Sequence, residues 1–309
     1  MSTLNAHDST EQTPSPTADS HRRPVEPVPG DSPRKRFIRR FGSQPVGVVA
    51  LIILVLIVMA AILAPLITPY DPNEVGVGEP LESPSGAHWL GTDDVGRDTL
   101  SRVLFAIRLS LVAALEATAI ALVLGLPLGL ISGYFGGWVD SIIMRVNDTF
   151  MAIPALILAL AIVGILGPSL TNAMIAIGIV YAPRILRVVR ASTLSVTEET
   201  FVEAARSIGT SRTRIMKSHI LPNILSPLIV QTTLTLGLAV LAEASLSFLG
   251  LGAQIPQASL GSMVNRAFSY LSVAPVYVLA PGLLVMIIVL CFNLLGDAIR
   301  DSIGREIRR

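Results

Sequence analysis

The sequence predicts an all-α polytopic membrane protein with six transmembrane helices, and three observations carry that expectation. Of its 309 residues, 51% are hydrophobic and 15% charged, against about 25% charged in a typical soluble domain. The apolar residues gather into runs of about 20 or more, the length a helix needs to cross hydrocarbon, and mean hydropathy is +0.65. Aromatic residues are 5% while glycines number 24. That balance suits helices packed in lipid rather than a barrel with aromatic girdles.

The elements follow in chain order. Residues 1 to about 33 are rich in Ser, Thr, Pro and Asp; they cannot bury a core and are expected to be disordered. The cationic cluster and apolar run come too late for a signal peptide. Arg34, Lys35, Arg36, Arg39 and Arg40 form a basic block directly before an apolar run, which reads as a membrane anchor rather than a nucleic-acid patch. The expected division is a disordered tail with this block (1–40), a transmembrane domain (41–300) and a basic tail (301–309).

The first span is 46–67, without a charge and closed by Pro65 and Pro69. A polar segment, 70–102, follows. Its His88, Asp93, Asp94 and Asp98 can be read as metal ligands or as parts of a turn. The second span, 104–132, carries Gly125, Gly129 and Gly133, every fourth residue, so one face lets another helix approach closely. Glu116 is expected to be buried in this span, in the solute pathway or as a structural polar contact. The third span is 142–166, with a kink at Pro154 and an Arg145–Asp148 pair three residues apart. The fourth is 170–189, with Arg184, Arg187 and Arg190 at i, i+3, i+6 on its last turns, read as snorkelling anchors. The fifth, 223–249, contains Glu243, a second intramembrane polar candidate. A second outer segment, 253–275, leads to the sixth span, 276–295. Cys291 is the single cysteine, so no intrachain disulfide or cysteine-based metal site exists.

Cation placement gives the orientation. With the N-terminus inside, Arg97, Arg102, Arg108 and Arg266 lie outside and the other 19 of 23 Lys and Arg lie inside. The positive-inside rule then puts both termini and the 192–222 loop in the cytoplasm of a multi-pass cell-membrane protein.

That loop holds the most specific stretch, Glu203 to Pro222. Ser195 and Glu198 have capping-box spacing, so a helix is expected to start just before Glu198. Gly209 can end it in a left-handed cap. Phe201, Ala204, Ala205 and Ile208 share a face that the alanines keep low. A second helical segment is expected from Arg212 to Leu221, with Ile215, His219 and Ile220 as a stripe and Pro222 as its stop.

Glu203, Ala204, Ala205, Gly209, Leu221 and Pro222 resemble the EAA loop of ABC importer membrane subunits. His219 stands where many members carry isoleucine, and His219 to Asn223 resembles the peptide and nickel branch. The run His88 to Arg102 is similar to the signature before the second span of peptide permeases. On that likeness Asp93, Arg97 and Asp98 tie a turn at the membrane surface. The run Ala242 to Gly252 resembles the same branch.

No Gly-Lys-Ser/Thr phosphate loop is present, since the two lysines are preceded by Arg34 and Met216, and neither G-x-S-x-G nor H-E-x-x-H occurs. The chain is therefore expected to be non-catalytic, with no bound cofactor or metal. The resemblance implies a type I ABC importer permease fold, with 203–222 as the coupling loop. It also implies a homologous second permease subunit, two ATPase subunits that bind ATP and magnesium, and an extracytoplasmic substrate-binding protein. Membrane lipid surrounds the complex, and nucleic acid has no part. The cargo implied is a di- or oligopeptide. Nickel chelates, glutathione or another small solute of the branch stay open, as does a gradient-driven carrier.

Overall fold

The computed structural model describes residues 33–304; the expectations for 1–32 and 305–309 lie outside them. Residues 33–40 were expected to lack structure, but they open a helix, α1 (Pro33–Gly42). Phe37 and Phe41, four apart on one face, stack at 6.0 Å, and the helix packs on the far end of the last span. Pro45 then starts α2 (Pro45–Ile67), where its missing N–H costs nothing.

α3 (Thr99–Phe135) overruns its expected ends. Asp98 caps it, accepting from Ser101 N at 2.8 Å. The glycine face meets α6 (Leu170–Thr197). A Cβ at Gly125 or Gly129 would stand 2.7 Å from the carbonyl oxygen of Ala182 or Leu186, and one at Gly133 would stand 2.6 Å from Thr193 Cβ. Only bare backbone permits that approach.

The third span is not a kinked rod. α4 (Gly137–Ala152) and α5 (Ala155–Leu166) meet at 92°. Pro154 removes a donor and forces the residue before it out of helical geometry; Ile153 sits at φ −92°, ψ 131°. Among the described residues five helices are long and apolar enough to cross a membrane, six when the bent pair is counted as one broken span. Asp148 pairs not with Arg145 but with Arg187, at 2.8 Å, because α6 passes alongside α4.

Ser195 lies inside α6, so it forms no capping box with Glu198, which instead ends that helix. α7 (Thr200–Ser207) starts two residues later. Beyond it come a single turn, α8 (Arg212–Arg214), a π-helical stretch (Ile215–Ile220) and α9 (Leu221–Phe248). Pro222 does not stop the segment: it occupies the first turn of α9, and Arg212 to Phe248 runs as one rod. The wider π turn removes the clash a proline ring would make with the carbonyl four residues back.

α10 (Leu260–Phe268) opens on a Ser259–Ser262 capping box. α11 (Pro275–Gly304) outruns the expected 276–295 and takes in 301–304, expected as tail. Among the described residues there is no strand, only an isolated bridge between Thr92 and Asp98. α3, α6 and α9 pack around a core rich in alanine, with α2 and α11 along one flank.

Candidate coupling site and intramembrane polar groups

α7 turns two faces to different neighbours. Val202 and Ala205, three apart, are buried against the body of the chain at 0% and 5% exposure. Phe201, Glu203, Ala204 and Ile208 are exposed, Ile208 at 82%. Ala205, expected on the open face, therefore anchors the helix instead. Val202, its partner in that anchor, was not singled out from sequence, because a short helix with apolar residues on both sides gives no sign of which side is covered.

Gly209 closes α7. Its φ is +77°, its N–H donates to Arg206 O at 3.0 Å and the Thr210 N–H donates to Ala205 O at 3.1 Å. That is a Schellman arrangement, which satisfies the last carbonyls and needs a residue tolerant of left-handed backbone. Beyond it Ile215 and Ile220 are buried at 1% and 0%, and His219 is half-buried. This stripe therefore faces the chain's own core. Leu221 is half-buried and Pro222 exposed.

The loop is tied to the end of α3. Arg206 lies over the Tyr134 ring at 5.2 Å and Arg212 over Phe135 at 5.6 Å, contacts that attract a cation to the ring face. Arg190 of α6 grips Asp140 of α4 through Nε at 2.5 Å and Nη2 at 2.6 Å. Ser132 of α3 donates to the same carboxylate. Arg184, Arg187 and Arg190, read as lipid-surface anchors, are thus engaged within the chain: Arg184 over Tyr181, Arg187 with Asp148, Arg190 with Asp140.

At the opposite end, residues 70–98 form a cap in which His88, Thr92, Asp93, Arg97 and Asp98 are buried. Asp93 is 0% exposed; it accepts from Val95 N and Arg97 N, and from Arg97 Nε at 2.6 Å. His88 Nδ1 meets Asp98 at 3.0 Å. Asp94 receives Arg266 of α10 at 2.7 Å, a contact that raises the guanidinium's pKa further. Among the described residues no group of three His, Cys, Asp or Glu could hold a metal.

The two intramembrane glutamates part company. Glu243 is 0% exposed and accepts from Ser110 at 2.8 Å and Ser247 at 2.6 Å. Glu116, expected to be buried, is exposed on α3. It stands nine residues from Gly125, about half a helical rotation at 3.6 residues per turn, and so lies opposite the face that meets α6.

Residues 125–309 match the family model described as binding-protein-dependent transport system inner membrane component. Residues 32–84 match the N-terminal transmembrane domain of oligopeptide transport permease C. The chain is 42% identical to the dipeptide transport system permease protein DppC of Alkalihalophilus pseudofirmus, over 92% of this chain and 95% of that one. It is 40% identical to the glutathione transport system permease protein GsiD of Pectobacterium atrosepticum, over 90% and 92%. It is 44% identical to the probable D,D-dipeptide transport system permease protein DdpC of Escherichia coli, over 84% and 87%. A chain of the inward-facing MetNI methionine ABC transporter shares its fold, with TM-score 0.53 at 23% identity, covering 66% of this chain and 96% of that one.

Proposed function

This chain belongs to the binding-protein-dependent transport system inner membrane components, in the peptide branch of ABC importer permeases, and from that premise we propose that it carries short peptides into the cell on the energy of a partner's ATP hydrolysis. One observation supports the reading most. α7 hangs from the body by Val202 and Ala205 while Phe201, Ala204 and Ile208 stand open, a low apolar face with Glu203 at its edge.

An ATPase subunit docks on that face, with Ala204 admitting close approach and Glu203 setting register by a polar contact. When ATP closes the ATPase pair, α7 is carried along. The Schellman turn, the cation–π contacts to Tyr134 and Phe135 and the Arg190–Asp140 fork hand that movement to α3, α4 and α6. The helices then exchange two packed arrangements as rigid bodies, and hydrolysis restores the first. ATP and magnesium stay on the partners. The complex also holds a second, homologous permease and a delivering protein outside, and this chain's termini lie in the cytoplasm. Relatives named for glutathione transport support that tripeptide as the second cargo reading.

The test is Ala204→Trp in the complete transporter, with membrane insertion checked separately. ATPase co-purification and nucleotide-driven uptake should both fall sharply. Wild-type levels of both would sink the docking claim.

A further inference from the structure

Two charged side chains on α3 are left open by the fold. Arg108 and Glu116 are exposed, and among the described residues neither has an ion-pair partner. With Val112 between them they form an i, i+4, i+8 stripe on the outward side of the longest helix. Glu116 lies 17 residues into a helix of 37, near its middle. A carboxylate facing hydrocarbon at that depth is costly, and such groups line bundles or watery passages instead.

The Arg108 end opens into a cleft of about 360 Å³ lined by Arg102, Arg108, Asn73, Gln257, Phe105 and Val112. Arg102 is fixed there, donating from Nη1 to Pro72 O at 2.8 Å. The stripe therefore has a cationic, partly polar mouth and an anionic station deeper in. Eight residues of helix separate the two by about 12 Å. An extended peptide spans about 3.3–3.6 Å per residue, so three residues cover about 10 Å and side-chain reach makes up the rest.

We propose that this stripe lines the solute passage and holds a short zwitterionic peptide by both free ends, its carboxylate at Arg108 and its ammonium at Glu116. The proposal rests on the importer reading and adds to it a cargo class: peptides of about three residues with unblocked termini.

The experiment uses the whole transporter in vesicles, with labelled trialanine, its N-acetyl form and its C-terminal amide. Wild type, Arg108→Gln and Glu116→Gln are compared with the same delivering protein, so that protein's own preference cancels between them. Glu116→Gln should cut trialanine uptake about tenfold, the loss expected for one charge-assisted hydrogen bond, and lower discrimination against the N-acetyl form relative to wild type while leaving that against the amide unchanged. Arg108→Gln should lower discrimination against the amide relative to wild type while leaving that against the N-acetyl form unchanged. Unchanged discrimination in both variants overturns the proposal. So does loss of the second permease from purified Glu116→Gln complex with normal uptake per intact complex, which would make Glu116 a subunit contact. Nucleotide dependence is read in the same wild-type vesicles. Its absence would sink the importer reading while the end-group pattern still decides this one.

Discussion

Ser110 of α3 donates its hydroxyl to Glu243 of α9 at 2.8 Å, across 133 residues of sequence. The same oxygen accepts from Leu260 N of α10 at 3.2 Å. Ser247 reaches the other carboxylate oxygen and in turn accepts from Ala253 N at 3.3 Å. One buried carboxyl therefore fastens three elements where α9 gives way to α10.

Replacing that carboxyl separates shape from hydrogen bonding. Glu243→Leu leaves two hydroxyls without an acceptor, at about 1–3 kcal/mol for an orphaned buried group. Glu243→Gln keeps one acceptor, and a serine hydroxyl can turn to accept from the amide. In detergent-purified protein, Glu243→Leu should melt several degrees below wild type, with Glu243→Gln close to it. Equal melting of all three would refute the fastening role.

The Arg190–Asp140 fork invites a double-mutant cycle. Its side chains are 27% and 18% exposed, so solvent screens it incompletely. Arg190→Gln and Asp140→Asn should each destabilise, and together by less than their sum. Bidentate charged contacts of this kind give coupling of about 0.5–3 kcal/mol. Strict additivity of the melting shifts would show the pair to be idle.

The groove between α3 and α6 has no room for a side chain. Gly129→Leu should force the helices apart at Leu186 and Val189 and cut the yield of folded protein. Gly164→Leu, where no atom lies within 4 Å of a built Cβ, is the control and should express normally. Similar yields would mean the close approach is dispensable.

On α7, neighbouring alanines should behave differently. Ala205→Trp has no space on the buried side and should lower folded yield. Ala204→Trp should leave yield intact and remove ATPase co-purification. Gly209→Ala should cost about 1 kcal/mol, because an L-residue is strained in the left-handed region. Matching behaviour of Ala204→Trp and Ala205→Trp would contradict the two-faced description.

Much of this was legible in residues alone, and the reason is physical. A helix in lipid must satisfy its own backbone, so uncharged runs of span length are helices whatever surrounds them. The sequence by itself determined five of the apolar helices, the glycine groove at Gly125, Gly129 and Gly133, an interruption at Pro154 whose 92° angle it did not foretell, and the glycine that closes α7. Tertiary structure alone decided which way each face turned. Lipid and core are equally apolar, so the 3.6-residue period shows which residues stand together and not what they stand against. Glu116 and Glu243 look alike in sequence, one between Leu115 and Ala117 and the other within an alanine–serine run, yet the rotation of α3 against α6 left the first outside while α3 and the start of α10 closed over the second. Ala205 and Val202 turned inward for the same cause: their burial is set by how α7 folds back against α6 and the π-helical stretch 215–220, which the spacing of apolar residues does not reveal.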